Sequence, residues 1–324
     1  MRLSDLKFVV GAVARKDYDE RLCHLEIKDG RATADGGRIA MSTPIDADMH
    51  IRPHAKSLVK AVQACGDDPI GIAETGTGRL SLRAGKFKAF IDCLPKEQEM
   101  TQLMPSGAYF DVTDELLHSI VALAPLMSID ASRPWAQGLR IDAHSTYATN
   151  NIIVAQRWHG AGFPRTVIIP ADAVHELIRI DERPRGVQVS EHSLTFFFEN
   201  NRWLCTRLIA MEGGWDRADE IFERNTNTDG LENVPDGLYD ALDTLKPFFD
   251  DAGKIYMLGD RIATSRNDNE GASVDITVAT GPIFHASQLR LLQNVATKVN
   301  FKAYPKPCYF IGDKLRGVIV GMRE

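Results

Sequence analysis

A short apolar strand running into an amphipathic helix is written three times in this chain. The middle copy is Thr166–Ile180 (TVIIPADAVHELIRI). It has an apolar run, a break at Pro170, and then a spacing that puts Val174, Leu177 and Ile178 on one helix face. Met49–Cys65 (MHIRPHAKSLVKAVQAC) and Gly281–Ala296 (GPIFHASQLRLLQNVA) repeat it. The helix starts align as His54-Ala55-Lys56-Ser57-Leu58, Pro170-Ala171-Asp172-Ala173-Val174 and His285-Ala286-Ser287-Gln288-Leu289. They stand about 116 and about 115 residues apart. Solenoid repeats run roughly 20–50 residues. A period this long means a whole domain copied three times.

The surroundings of each copy share one order: helix, hairpin, strand, helix, hairpin. The first helices are expected at 3–16, 113–125 and 238–249, and the second at 54–65, 171–180 and 286–296. The closing hairpins are GRLSLRAGKFKAFIDCLP, HSLTFFFENNRWLCTRLI and KPCYFIGDKLRGVIVGMR. Their turns carry Gly85-Lys86, Asn200-Asn201 and Gly312-Asp313, and Asp29-Gly30 marks an earlier hairpin. Tyr147–Arg157 reads as one long strand, and 299–303 as another. Met104–Gly107 and the polar stretch Met211–Gly237 read as linkers. The expected domains are 1–106, 107–224 and 225–324, of an α+β class.

Composition narrows the function. Hydrophobic content of 44% and charged content of 25% are ordinary for a globular chain. No apolar run is long enough to span a bilayer, and Asp5 and Lys7 break the N-terminal apolar patch, so neither a membrane segment nor a signal peptide is expected. The five cysteines are far apart with no C-x-x-C pair, which fits free thiols in a cytoplasm and argues against zinc. A net charge of −6 excludes a surface that is basic all over but permits a local basic face. Gly76-Thr77-Gly78 and Gly213-Gly214 lack any phosphate-binding context. No paired carboxylates or Ser/His cluster suggest catalysis, so no enzyme, cofactor or metal is expected. His54 and His285 recur just before the second helices, where capping is the natural role.

With this order in place, the chain resembles the bacterial beta-type DNA polymerase sliding clamp over nearly its whole length. Arg133-Pro134-Trp135-Ala136-Gln137-Gly138-Leu139 is similar to the family's R-x-x-L-x-G-[IV], and Tyr147–Ala155 stands where the family has A-T-D-G-H-R-L-A. Ile168-Ile169-Pro170 resembles I-I-P, Arg207-Leu208-Ile209 resembles S-[RK]-L-[IV], and Arg316–Arg323 resembles a tail ending V-M-P-M-R. The resemblance implies three repeated DNA-clamp domains, each with two helices inside and antiparallel sheets outside. Two chains would form a ring around double-stranded DNA. A sliding ring meets phosphates weakly and without sequence preference. Arg15, Lys16, Lys56, Lys60, Arg179, Lys246, Arg290 and Lys298 are the candidates to face DNA, set on the polar faces of the inner helices. Each also fits an ordinary solvated helix face.

The resemblance further implies a pocket between the second and third domains for short peptide tails of the DNA polymerase and the clamp loader. By position it would be lined by Thr149, Val154, Ile221, Val320, Met322 and Arg323. Val154 and Val320 also fit plain strand core. The chain departs from the family here: Asn150-Asn151-Ile152-Ile153 replaces D-G-H-R, Ala136 replaces leucine, Gly321 replaces proline, and Asp216 stands where an F-P turn has its proline. Such divergence suits a phage-encoded clamp in an infected host cell as well as a bacterial one. A homodimer joining first to third domains is implied, with Phe87–Phe90 and Val278–Ile283 as its neighbourhoods. The two-domain trimeric clamp fits three repeats poorly. A clamp-fold scaffold that does not encircle DNA is the alternative.

Overall fold

Three helix starts in this chain, at His54, Thr113 and His285, are set by side chains that take up free backbone N–H groups. The computed structural model describes residues 1–14, 19–95, 103–210, 214–267 and 269–323. Helix α1 is Leu3–Val9, followed by a 3-10 turn at Val10–Ala12. Helix α2, Ala55–Ala64, begins at His54, whose ring accepts from the Ser57 N–H. Helix α3, Asp114–Leu123, begins at Thr113, which accepts from the Leu116 N–H. Helix α4 is Ala171–Ile180. Helix α5 is Trp215–Asn225, and α6 is Leu238–Leu245 with a 3-10 turn at Lys246–Phe248. Helix α7, Ala286–Arg290, is capped by His285 and continues as a 3-10 turn at Leu291–Asn294. The recurring histidines therefore cap helices.

The chain forms two compact units, Met1–Val112 with Asp172–Leu208, and Thr113–Ala171 with Ile209–Glu324. The first holds a seven-stranded antiparallel sheet whose middle is a junction: Ile39–Pro44 pairs with Trp203–Arg207, matching Met41 to Leu204. A three-stranded sheet, Gly71–Glu74, Leu80–Ala84 and Phe87–Ile91, completes it, together with the pair Arg52–Pro53 and Cys93–Leu94. In the second unit an eight-stranded sheet has a matching junction. Ile153–Trp158 pairs with Leu315–Ile319, setting Val154 opposite Val318. Its other sheet has four strands, ordered Ser273–Asp275, Arg261–Ala263, Lys254–Leu258 and Thr280–His285. Each junction welds strands of neighbouring repeats into one hydrogen-bonded sheet, which is why compactness follows the sheets and cuts through the middle repeat.

Several expectations change. Tyr147–Arg157 is two strands, Ser145–Thr149 and Ile153–Trp158. Asn151 turns between them at φ 74°, and Asn150 Oδ1 accepts from the N–H groups of Ile152 and Ile153. Met211–Gly237 contains α5, which buries Trp215, Ala218 and Phe222. Of the stretch 299–303 only Val299 is strand, as the end of Lys298–Val299, and Phe301–Ala303 is a 3-10 turn. Lys298 thus lies in a strand and not on a helix. Ile178 is 38% exposed, since α4 buries Ala173, Val174 and Leu177 instead. Three hairpin turns stand as expected, with positive φ at Asp29, Gly30, Gly85, Asn200 and Asn201, but the last turn is Asp313-Lys314, since Gly312 still pairs with Leu315. No helix among the described residues is long and apolar enough to cross a membrane.

Candidate functional site

Helix α5 lies on the eight-stranded sheet because its apolar residues recur at one-turn spacing. Trp215, Ala218 and Phe222 pack with Tyr147, Val154, Ile168, Tyr309 and Val318 in one cluster. Trp215 meets Trp135 edge-on at 5.6 Å and Tyr147 at 6.2 Å, and Tyr147 meets Phe222 at 6.4 Å. Arg140 reaches from the sheet to Asp219 on α5, Nη1 to Oδ2 at 3.0 Å. Arg316 lies over Phe222 at 5.1 Å and donates to Gln156 Oε1 at 2.7 Å. Gly214, just before α5, faces the Trp135 indole so closely that an added Cβ would stand 2.2 Å from it.

Beside this helix is a cavity of about 390 Å³. Thr149, Ile153, Val154 and Val318, all buried, form its sheet side. Ala218 and Ile221 come from α5, Ile152 from the Asn151 turn and Val320 from the end of the last strand. Ile221 is 38% exposed and Val320 42%, so apolar surface faces solvent at the mouth. Trp135, Asn151, Gly214 and two exposed arginines, Arg133 and Arg217, complete the lining. The wall is braced by backbone: Thr149 Oγ1 donates to the Ile153 carbonyl at 2.8 Å and the Val320 N–H to the Ile152 carbonyl at 2.9 Å. Asn150 Nδ2 donates to Gln288 Oε1 at 2.6 Å, tying the turn to α7. An open, mostly apolar cavity of this size suits a few side chains of a short segment. Among the described residues its lining carries no acid–base pair.

Of the residues expected at a pocket, Thr149, Val154, Ile221 and Val320 come together here; Met322 and Arg323 are outside its lining. Met322 is engaged instead by Ile283 O and Tyr304 OH, at 2.8 Å each. Trp135, Arg217 and Ile152 line the cavity without having been expected there. The spacing of Trp215, Ala218 and Phe222 in sequence was the available signal for α5.

The candidate DNA-facing residues do not form one set. Arg15 and Lys16 lie outside the described residues. Lys56 and Lys60 are exposed one turn apart on α2, and Lys246 is exposed in the 3-10 turn after α6. Arg179 pairs with Glu176 and donates to the Phe8 carbonyl. Arg290 pairs with Asp243 at 2.8 Å. The charges on α3 and α6 are acidic only: Asp114, Glu115, Asp240 and Asp243. Among the described residues no group of three His, Cys, Asp or Glu side chains is placed to hold a metal.

The repeated helix and sheet plan, with α5 laid across the second junction, is the fold of the bacterial DNA polymerase beta sliding clamp. The sliding clamp of Caulobacter crescentus aligns over 99% of this chain and 97% of its own, with a TM-score of 0.79 and 20% identity. The DNA polymerase III subunit beta of Pseudomonas aeruginosa aligns over the same shares at 0.78 and 18%. A clamp from Bartonella birtlesii, solved bound to griselimycin, aligns over these shares too, at 0.80 and 16%. The sequence matches no protein-family model and no curated protein. The likeness lies in the fold, which sequences diverged to this degree still share.

Proposed function

We propose that this chain is a DNA sliding clamp. Three clamp domains, 1–106, 107–224 and 225–324, are repeated twice in a homodimeric ring that encircles duplex DNA in a bacterial or infected-cell cytoplasm. It tethers a replicative DNA polymerase and performs no catalysis itself. The observation that carries this reading is the full-length match to the clamp fold. The apolar cavity beside α5 supports docking of peptide tails from the polymerase and clamp loader, since an exposed apolar pocket on a folded chain marks an interaction site.

Sheet edges support the dimer. Phe87–Ile91 is an edge strand, with Phe90 51% exposed under Lys88 Nζ at 4.5 Å. Unpaired edges invite strand addition from another chain. In the four-stranded sheet the Thr280–His285 edge already takes the Met322 N–H at Ile283. Ser273–Asp275 is therefore the better partner edge, and its Asp275 complements Lys86 and Lys88.

Analytical ultracentrifugation at low micromolar concentration comes first. Twice the chain mass with the friction of a flat ring supports the dimer; a trimer overturns the three-domain count. Loading onto circular DNA followed by linearisation tests encirclement. A clamp slides off only the linear form, and Lys56→Glu with Lys60→Glu reduces loading. Retention on neither form leaves a clamp-fold scaffold that does not encircle DNA.

A further inference from the structure

We infer that Tyr304 is a positioning residue for the cavity beside α5: it latches the segment Val320–Arg323 onto the four-stranded sheet and so fixes Val320 at the cavity mouth. This rests on the peptide-pocket reading above and adds a residue that does not itself line the pocket. The last strand ends at Ile319, and the residue after it is part of the lining. A segment that has left its sheet stays ordered only where something ties it down. Three hydrogen bonds do so here. The Val320 N–H donates at 2.9 Å to the carbonyl of Ile152, on the turn that lines the same cavity. Two residues on, the Met322 N–H donates at 2.8 Å to the carbonyl of Ile283, in the strand Thr280–His285. The Tyr304 hydroxyl donates to the Met322 carbonyl, also at 2.8 Å. Val320 is therefore held on one side by the cavity turn and on the other by the Met322 latch.

Tyr304 is itself well anchored. It follows the 3-10 turn Phe301–Ala303, and its N–H donates to the Phe301 carbonyl at 3.2 Å. Its ring lies 6.5 Å from that of Phe284, which is fully buried and meets Phe301 edge-on at 5.6 Å. The ring is thus seated on a buried aromatic pair while its hydroxyl reaches the segment. Gly321 supplies the room. A Cβ at that position would stand 2.7 Å from the Tyr304 ring and 2.9 Å from the Ile283 carbonyl oxygen. The family pattern that the chain resembles has proline here, and a proline carries that Cβ. Gly321 and Tyr304 fit as a pair: the backbone passes between ring and strand because residue 321 has no side chain. With its N–H and its carbonyl both engaged on this path, Met322 stays off the cavity and Val320 reaches it.

The test uses the full chain and two readouts. One is hydrogen exchange read by mass spectrometry. The other is fluorescence anisotropy with a labelled, amidated Gly-Ser peptide carrying Leu-Leu-Phe. Tyr304→Phe keeps the ring and removes the donor. Exchange over Val320–Arg323 should quicken and peptide affinity should fall, each about two- to tenfold, the range one hydrogen bond can hold. Exchange in α3 should keep its wild-type rate, which shows that the fold is intact. Gly321→Ala should reproduce both effects by pushing the backbone off the ring. Val320→Ala should weaken binding, and adding Tyr304→Phe should weaken it little further, because the latch acts through the Val320 side chain. Wild-type exchange of the segment in Tyr304→Phe overturns the latch. Quickened exchange with wild-type affinity, or fully additive losses in the double variant, overturns the positioning role and leaves the peptide pocket standing. No binding by the wild type overturns the pocket reading and Tyr304's part in it, and the latch itself is then decided by exchange alone.

Discussion

The guanidinium of Arg140 donates to the Asp219 carboxylate at 3.0 Å and lies over the rings of Tyr147 (4.9 Å) and Trp215 (5.7 Å). One side chain of the sheet thus holds α5 by charge and by ring contact. Asp219→Ala leaves that guanidinium, only 15% exposed, without its anion. The expected cost is about 1–2 kcal/mol, toward the low end because Asp219 is nearly half exposed. Urea unfolding followed by tryptophan fluorescence reads it, with peptide affinity falling in parallel. An unshifted midpoint with intact binding would mean that the apolar cluster alone holds the helix.

Gly214→Ala tests the contact between the α5 start and Trp135. Its φ of −93° suits any residue, so the obstacle is space alone. An added methyl meets the indole at 2.2 Å, and the ring must move. Overpacking of this kind costs roughly 1–3 kcal/mol. A lowered melting temperature and a shifted tryptophan emission are expected, with the pocket reshaped enough to weaken peptide binding. Wild-type emission and affinity would show that Trp135 adjusts freely.

Acid should destabilise the fold through two histidines. Burial holds His54 below the ordinary 6.5, helped by nearby His24 and Lys56; burial likewise lowers His159. As pH falls through 6.5 the unfolded chain takes up protons first. Their stabilisation is therefore fully present above that value and is lost as pH falls through the lower folded values. The slope is at most ~1.4 kcal/mol per pH unit for each group. His159 Nδ1 accepts from the Ala161 N–H at 3.0 Å. His159→Asn keeps an acceptor but cannot titrate. Urea midpoints from pH 7.5 to 5 should fall less steeply in that variant; parallel slopes would remove His159 from the account.

Four thiols should be slow to alkylate in the native protein. Burial raises Cys65 and Cys205, pushes Cys93 up to about 11 and Cys308 to about 12. The thiolate is the reactive form, so iodoacetamide at pH 8 should label these positions only after urea is added. Rapid native labelling of Cys308, read by peptide mass mapping, would contradict the packing around it.

Phe90→Glu places a charge on the exposed edge strand Phe87–Ile91. Loss of dimer mass in ultracentrifugation with an unchanged melting profile is the expected result. A dimer of undiminished stability would move the interface to another edge.

Local chemistry was legible from residues alone. Turn residues act over two or three positions, so Asp29-Gly30, Gly85 and Asn200-Asn201 could be recognised as hairpins and adopt the positive φ they predict. The capping roles of His54 and His285 follow from their place before a helical spacing. Helix α5 was missed because its many charges and the neighbouring glycines resemble a linker. Its Trp215, Ala218 and Phe222 spacing carried the helix signal, but an apolar stripe declares itself only when a surface exists to bury it.

Most of the helices and hairpins are legible in the residues alone, because each depends on positions close together in the chain. The two junctions, Leu204 to Met41 and Val154 to Val318, arise in the folded chain, where strands more than a hundred residues apart share backbone hydrogen bonds. No local preference fixes such a register; it follows from which faces bury apolar surface against each other. The same packing gathers Thr149, Val154, Ile221 and Val320 around one cavity and leaves Met322 outside it. It also turns Arg133 and Arg217 from two scattered surface charges into the polar rim of a single apolar site.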